Sequence, residues 1–235
     1  MKLLSTANPK IQKGTKLGYL SFILHLAPAD LSGKEVCPKR TAGCTAACLN
    51  TAGRGGMFKK GENTNMIQKA RIRKTQEFFT NRDAFMLQLI KDVKLGIKQA
   101  TKLGLTPCFR LNGTSDLSWE KYKVDGKNIF ELFPDVQFYD YTKVLGRKVA
   151  DYKNYHLTFS AADGNDADVD KAIAQNMNVT VVFDKIPAEY KGKEVFNADD
   201  TDLRFLDPKG VVLGLKAKGR AKKDRTGFVV FMKQA

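Results

Sequence analysis

Three of the four cysteines in the chain lie close together, at Cys37, Cys44 and Cys48. In a chain without an export signal such a group typically binds metal, because thiols stay reduced inside the cell. Cys44 and Cys48 are four residues apart, so a helix would present both thiols on one face. Three thiolates with no histidine beside them favour an iron–sulfur cluster with one open iron, or a zinc ion that lacks its fourth ligand.

The residues between and after these cysteines are mostly small, which lets the backbone approach a bulky cluster and donate N–H groups to its sulfurs. The alternative is that the cysteines are small buried hydrophobic residues, although their crowding argues against coincidence. The fourth cysteine, Cys108, lies in an apolar strand-like segment, so we expect it in the core. It would be a fourth ligand only if the fold brings it to the other three.

Short apolar runs alternate with helix-compatible segments along the chain. We predict strands over 17–26, 107–111, 136–141, 156–159, 179–183 and 211–215, and helices over 63–79, 81–104, 128–132, 143–152 and 166–177. Strands that alternate with helices indicate parallel βαβ units. Residues 187–208 are poor in helix signals, which argues against a complete eightfold barrel. We therefore expect a single α/β domain over residues 1–235, a partial, open parallel (β/α) barrel similar to a TIM barrel.

Polar residues follow the predicted strands, at the edge where parallel α/β folds build their sites. The cysteine loop, which we define as residues 37–55, follows the first of these strands and would share that edge. We expect Arg110, Asn112 and Asp116 to act on a ligand, and Ser115, Asp163 and Lys216 to bind the cofactor. A buried arginine needs an anionic partner, so Arg110 faces either a carboxylate or a ligand. Turn and helix-cap chemistry is the alternative for residues 112–116.

The net charge of +15 comes mainly from two parts of the chain. The first basic stretch, from Arg54 to Arg82, contains eight basic residues against two acidic ones. The second basic stretch, from Lys209 to Lys233, contains eight against one. Positive charge concentrated in this way predicts nucleic acid or another polyanion as a partner. The alternative is a solvated surface that serves solubility.

Three motifs are typical of a known group of proteins. They are Cys-Pro-x-x-Thr-x-Gly-Cys-x-x-x-Cys-Leu-x-x-Ala-Gly-Arg-Gly at residues 37–55, Ala-Arg-x-x-x-Thr at 70–75, and Arg-Leu-Asn-Gly-Thr-Ser-Asp at 110–116. Together they resemble the bacteriophage gene product 88 family over residues 15–120. The resemblance implies a phage origin and no particular reaction.

The cysteine loop is also similar, more loosely, to that of radical S-adenosylmethionine enzymes. In those enzymes a three-cysteine loop after the first strand of a partial barrel binds a [4Fe–4S] cluster, and the open iron binds S-adenosylmethionine. Here six and then three residues separate the cysteines, where that family has three and then two. Asn112-Gly113-Thr114-Ser115 stands where that family commonly has a Gly-Gly-Glu segment. These departures leave the cluster inference intact and argue against S-adenosylmethionine as the ligand.

We expect a cytoplasmic protein, in the host cytoplasm if it is encoded by a phage. No apolar signal-peptide region follows Lys2, and the apolar run at 17–27 is too short to span a bilayer. The leading hypothesis is a phage-encoded iron–sulfur protein whose [4Fe–4S] cluster binds a small ligand at its open iron. The alternative is a nucleic-acid-binding protein without catalysis, in which the metal holds the loop together.

Overall fold

The computed structural model describes residues 1–6 and 13–232 of the chain. Its main feature is a ten-stranded sheet, whose central strands are apolar segments that bury side chains on both faces. The strands in chain order are β1 (Leu4–Ser5), β2 (Tyr19–Leu24), β3 (Thr106–Arg110), β4 (Lys123–Val124), β5 (Lys127–Asn128), β6 (Gln137–Thr142), β7 (Tyr155–Ser160), β8 (Val179–Phe183), β9 (Glu189–Tyr190), β10 (Lys193–Asn197), β11 (Val212–Lys216) and β12 (Val229–Val230).

The spatial order of the main sheet is β1-β2-β3-β6-β7-β8-β11-β10-β9, with β12 paired to β8. Neighbouring strands from β2 to β10 are parallel, whereas the edge strands β1 and β9 are antiparallel to their neighbours. Strands β4 and β5 form a separate hairpin. The predicted α/β fold with a largely parallel sheet is therefore confirmed.

The predicted barrel is not confirmed. In a barrel built in chain order β10 would follow β8, but β11 lies between them. A short antiparallel strand also covers each end of the parallel sheet. The described strands therefore form an open sheet.

The α-helices whose bounds lie within the described residues are α1 (Ala29–Ser32), α2 (Ala42–Ala46), α3 (Met66–Thr80), α4 (Arg82–Lys102), α5 (Ile129–Leu132) and α6 (Asp166–Ala174). Asn65 caps α3 by accepting a hydrogen bond from the N–H of Gln68 at 3.0 Å. After α4, Gly104 adopts φ +67, the left-handed conformation that commonly ends helices. Among the helices of residues 1–6 and 13–232, none has the length and apolar character needed to cross a bilayer.

The predicted helix over 143–152 is wrong, since this segment consists of turns and irregular structure. Gly146 adopts φ +75, which interrupts a right-handed helix. The next residue, Arg147, turns inward and forms an ion pair with Glu120. A long-range contact therefore decides the local conformation.

The helical side of the sheet contains the main apolar core. Phe22, Phe109 and Phe138 are buried there together with Leu89 and other side chains of α4. The Phe22 and Phe109 rings stack with centroids 5.1 Å apart. These contacts fix β2, β3 and β6, the strands whose carboxyl ends precede the candidate site.

The opposite side of the sheet has a smaller and more polar interior. Cys108 is buried there in a cluster with Tyr139 and Leu203. Its sulfur lies 3.1 Å from the Ser21 hydroxyl, and burial raises the pKa of its thiol to about 12. The predicted core position of Cys108 is therefore confirmed.

A buried carboxyl group on β6 organises the loop that follows β3. Asp140 accepts hydrogen bonds from the backbone N–H of Asn112 at 2.7 Å and from the Tyr155 hydroxyl at 3.1 Å. It is fully buried, and burial raises the pKa of its carboxyl to about 7 in spite of the nearby Arg110 and Arg147. The loop after β3 is thus attached to the neighbouring strand through one titratable group.

Replacing Asp140 with asparagine should remove a pH dependence of stability. A carboxyl whose folded-state pKa lies above its unfolded value binds its proton more tightly in the folded state, so it contributes stability at low pH that is lost as pH rises towards about 7. The free energy of unfolding of Asp140→Asn relative to the native chain should rise by up to about 4 kcal/mol between acid and neutral pH. Denaturant titrations at several pH values measure this difference.

Asp135 is exposed and precedes the same strand, so Asp135→Asn is the matched control. Its unfolding free energy should follow the native pH profile. Parallel profiles for Asp140→Asn and the native chain would contradict the assignment of a raised pKa to Asp140.

Candidate metal centre at the carboxyl edge of the sheet

Cys37 joins the segment after β2 to the loop after β3. Its sulfur lies 4.0 Å from the backbone carbonyl oxygen of Thr114. The carbonyl of the preceding residue, Val36, accepts a hydrogen bond from the N–H of Asp116 at 2.8 Å. The two loops therefore meet at the carboxyl edge of the sheet, as the sequence predicts.

Cys44 lies in α2, and Asp163 from the loop after β7 holds the amino end of that helix. One carboxylate oxygen of Asp163 accepts from the N–H of Gly43 at 2.9 Å, and the other accepts from the N–H of Cys44 at 3.3 Å. The hydroxyl of Thr41 also donates to this carboxylate. A carboxylate at a helix amino end satisfies unpaired N–H groups and interacts favourably with the helix dipole. Asp163 therefore positions Cys44.

The other side of α2 packs closely on the last described loop. A Cβ atom at Gly43 would lie 2.0 Å from the Thr226 hydroxyl oxygen and 2.7 Å from the Phe228 Cβ. Ala47 packs near Ala217, Ala221 and Phe228. Only glycine fits at position 43, because any side chain would separate α2 from residues 224–228.

Cys48 is attached to α3 through Asn50 and Arg71. The Cys48 sulfur accepts a hydrogen bond from the N–H of Asn50 at 3.5 Å. Arg71 donates to the side-chain and backbone oxygens of Asn50, at 2.8 and 3.2 Å. An N–H group directed at sulfur is a typical contact around an iron–sulfur cluster.

The three thiols are free, and their charges affect the pKa values of Cys37 and Cys48. Burial raises the pKa of Cys37 to about 12, and the charges of the other two cysteines and of Asp116 act in the same direction. Burial also raises the pKa of Cys48, which Cys44 raises further and the N–H of Asn50 opposes. Lys143 lowers the pKa of Cys37 and Arg71 lowers that of Cys48. Cys37 and Cys48 therefore each lie within the electrostatic influence of Cys44 and of one cation.

The sulfurs are not gathered into a preformed metal site. Among the described residues, no group of three or more histidine, cysteine, aspartate or glutamate side chains lies close enough to hold a metal ion. A cluster bound by Cys37, Cys44 and Cys48 requires the cysteine loop to draw these sulfurs together. Three thiols are suitable ligands for such a cluster, but in the structure their sulfurs lie too far apart to hold one metal ion together.

Asp116 is the predicted ligand-contacting residue that lies beside the cysteines. One of its carboxylate oxygens accepts from the backbone N–H of Lys143 at 2.8 Å. The other is buried and has no hydrogen-bond partner within the described residues; the nearest guanidinium nitrogen, from Arg147, lies 3.9 Å away. Burial raises the pKa of this carboxyl, against the hydrogen bonds that it accepts. Asp116 thus has an unused acceptor in the environment of Cys37.

Arg110 faces the opposite side of the sheet and pairs with a carboxylate. Its guanidinium lies 3.0 Å from Asp202 and stacks over the Tyr141 ring, with 4.6 Å between the guanidinium carbon and the ring centroid. The sequence predicts either a carboxylate or a ligand as the partner of Arg110, and in the structure the partner is the carboxylate of Asp202. Its position on the face of Cys108 agrees with the predicted strand alternation.

Asn112, Ser115 and Lys216 have structural contacts. The Asn112 side-chain oxygen accepts hydrogen bonds from the Ser115 hydroxyl, the Leu117 N–H and the Trp119 indole at 2.8 to 3.0 Å. The backbone N–H of Lys216 donates to Asp199 at 3.2 Å. The turn chemistry considered for residues 112–116 therefore describes Asn112 and Ser115, while their predicted roles towards a ligand or cofactor stay predictions.

Sequence reasoning missed the cations that accompany the cysteines. Arg71 belongs to the Ala-Arg-x-x-x-Thr motif at residues 70–75, which marks it as a candidate functional residue. No pattern in the sequence connects it to Cys48. Lys143 lies two residues after the strand predicted over 136–141, so the strand-end rule that indicates Asp163 also applies to it. Arg147 and Glu120 gave no signal, because their pairing depends on two loops that are distant in sequence.

A family comparison covers nearly all of the chain. The match is to the Gene product 88 family, over residues 2–231. The chain belongs to the Gene product 88 family. The resemblance inferred from the three motifs is thereby confirmed and extends well beyond residues 15–120. No curated protein and no solved structure matches the chain, and the similarity to radical S-adenosylmethionine enzymes gains no support.

In this Gene product 88 protein, Gly43→Ala should destabilise the packing of α2. The added methyl group would overlap Thr226 and Asp163, which lies 2.6 Å from the Cβ position, so we expect a loss of about 1–3 kcal/mol in unfolding free energy. Gly14→Ala is the control, because its Cβ would meet Leu203 at 3.6 Å, an ordinary contact distance. Equal stability of the two variants in denaturant titrations would contradict the close approach at Gly43.

Alkylation of the Cys37 thiol should be slow at neutral pH, and its rate should keep rising with pH instead of levelling off. Only the thiolate is nucleophilic, and its pKa of about 12 keeps Cys37 protonated at neutral and mildly alkaline pH. Its alkylation rate should therefore rise about tenfold per pH unit from about pH 7 to pH 10. Mass spectrometry of iodoacetamide-treated protein measures this rate, with urea-unfolded protein as the control that levels off near the ordinary cysteine pKa. A plateau near that value in the folded protein would refute the raised pKa.

Proposed function

We propose that this protein is a phage-encoded iron–sulfur protein in which Cys37, Cys44 and Cys48 hold a [4Fe–4S] cluster. The observation that carries the proposal is the proximity of the three thiols: the charges of Cys44 and Cys48 raise the pKa of Cys37, and the charge of Cys44 raises the pKa of Cys48. Three neighbouring thiolates are unfavourable on their own, and a bound metal centre removes this cost by supplying positive charge.

The attachment of the loop supports the same proposal. Cys44 is held by Asp163, whereas Cys37 and Cys48 lie in non-helical segments on either side of α2. These flanking segments can approach Cys44 while the helix stays bonded to the loop after β7. Metal binding and the ordering of a ligand loop are commonly coupled in this way.

The choice of a cluster over zinc follows from the number and type of donors. Three thiolates leave one iron of a [4Fe–4S] cluster open, whereas structural zinc sites use four protein ligands. Besides the other two cysteines, Asp116 and Lys143 act on the Cys37 thiol, so a small ligand at the open position would meet a carboxylate and an ammonium group. When bound, the cluster would supply electron transfer or a Lewis-acidic iron for that ligand.

Cys44→Ser should lose the cluster, while Cys108→Ser should keep it. Protein purified and reconstituted without oxygen should contain about four irons and four sulfides per chain and absorb broadly in the visible range. Cys44→Ser removes a thiolate from α2, so its iron content should fall strongly. Cys108 lies in the core beside the Ser21 hydroxyl, so a serine in its place is the matched control and should retain iron.

Two results would overturn the proposal. A colourless protein that contains zinc after iron-replete, oxygen-free preparation would exclude the cluster. Equal iron loss in Cys108→Ser and Cys44→Ser would exclude a three-cysteine site with an open iron. Affinity for the metal should also rise with pH, since protons must leave the thiols of Cys37 and Cys48, whose pKa values are raised.

A further inference from the structure

The two basic stretches are distant in sequence but lie on opposite sides of the same loop. On one side, the turns at Leu49–Thr51 and Gly53–Gly56 are bonded to α3 through Arg71 and Gln68. On the other side, α2 packs on residues 217–228. The cysteine loop therefore separates one basic surface from another at the carboxyl edge of the sheet.

The first basic surface is a groove beside the start of α3. It has a volume of about 330 Å³ and is lined by Arg54, Met57, Lys59, Glu62, Met66 and Lys69, among others. The side-chain amide of Asn65 donates to the backbone oxygens of residues 54, 55 and 57 at 2.9 to 3.1 Å. The groove is thus held in place by α3 itself.

The cations of this groove are available to a partner. Arg54, Lys59 and Lys69 are exposed and form no ion pair within residues 1–6 and 13–232. Exposed apolar side chains accompany them, since Met57 is 71% exposed and Phe58 is 40% exposed. Cations beside an exposed aromatic ring suit a ligand that combines phosphates with flat bases.

The second basic surface is the turn at Gly219–Lys223. Arg220, Lys222 and Lys223 are exposed there. Arg225 follows the turn, and its guanidinium carbon lies 5.9 Å from the ring centroid of Phe231, which is 47% exposed. Lys218 is different, because it is paired with Asp199 at 2.5 Å. Lys233, at the end of the second basic stretch, lies outside the described residues.

We propose that the groove beside α3 and the turn at 219–223 form one binding surface for single-stranded nucleic acid, which crosses the cysteine loop. The cations contact phosphates, and Phe58 stacks on a base. Base stacking on an exposed ring requires unpaired bases, which favours a single strand over a duplex. The inference rests on surface charge and exposed rings and does not depend on a metal, so it can fail or hold independently of the proposed cluster.

Fluorescence anisotropy of the full-length, reduced protein with a labelled oligothymidylate of about twenty nucleotides tests this proposal. One variant carries Arg54→Gln, Lys59→Gln and Lys69→Gln, and a second carries Arg220→Gln, Lys222→Gln and Lys223→Gln. Each set should weaken binding and reduce the slope of log affinity against log salt by about 2, since each lost phosphate contact contributes about 0.7. The salt range is about 50 to 200 mM.

The control variant carries Lys91→Gln, Lys94→Gln and Lys98→Gln, which are exposed on α4 and change the net charge equally. Its affinity and slope should stay near the native values. Phe58→Ala should weaken binding about tenfold at an unchanged slope, because stacking is not ionic. All variants should keep the native unfolding midpoint, because the substituted side chains are exposed.

Three outcomes would overturn the proposal. The substitutions at Lys91, Lys94 and Lys98 could weaken binding as much as either set of substitutions in the basic surfaces. Binding would then depend on net charge alone. A duplex of the same length could bind more tightly than the single strand. Heparin could compete fully while Phe58→Ala has no effect, which would indicate a general polyanion surface without base stacking.

Discussion

The contact between Asp163 and the amino end of α2 fixes the cysteine loop to the sheet. Helix α2 has only five residues, and a helix of this length is unstable without tertiary contacts. Its position therefore depends on the Asp163 carboxylate, which follows the central strand β7, and on the absence of a side chain at Gly43. Cys37 and Cys48 then lie on either side of α2. Cys37 is attached to the loop after β3, and Cys48 is attached to α3.

The sequence was sufficient for those parts of the fold that local patterns determine. Apolar runs identified the parallel strands β2, β3, β6, β7, β8 and β11 but not β10 and β12. Helical periodicity with a terminal Gly104 identified α4. The sequence was insufficient where a contact with a residue distant in sequence determines the structure. Arg147 enters the interior because Glu120 is there, and β11 lies between β8 and β10 because of pairing that no local pattern encodes. The choice between a ligand and a carboxylate for Arg110 likewise depended on Asp202, ninety-two residues away.

Burial raises the pKa of the Cys37 and Cys48 thiols and of the Asp116 carboxyl, because water is largely excluded around them. The charge of Asp116 raises the pKa of Cys37 further. Arg71 and Lys143 offset this effect only partly. The neutral form of Cys37 is compatible with the open arrangement, in which the sulfurs of the described residues are not gathered. In the proposed site a metal centre would replace the thiol protons and make the approach of the sulfurs favourable.

The cysteine loop is also the physical link between the two basic surfaces. Its turns are bonded to α3 through Arg71, and its helix packs on residues 217–228 through Gly43. The groove beside α3 is bonded to that helix through Asn65 and Gln68, and residues 217–228 are attached to α2. Neither set of contacts involves the sulfurs of Cys37, Cys44 or Cys48. The proposed single strand would therefore meet the same two groups of cations with or without a metal centre, which is why the nucleic-acid proposal and the cluster proposal are independent.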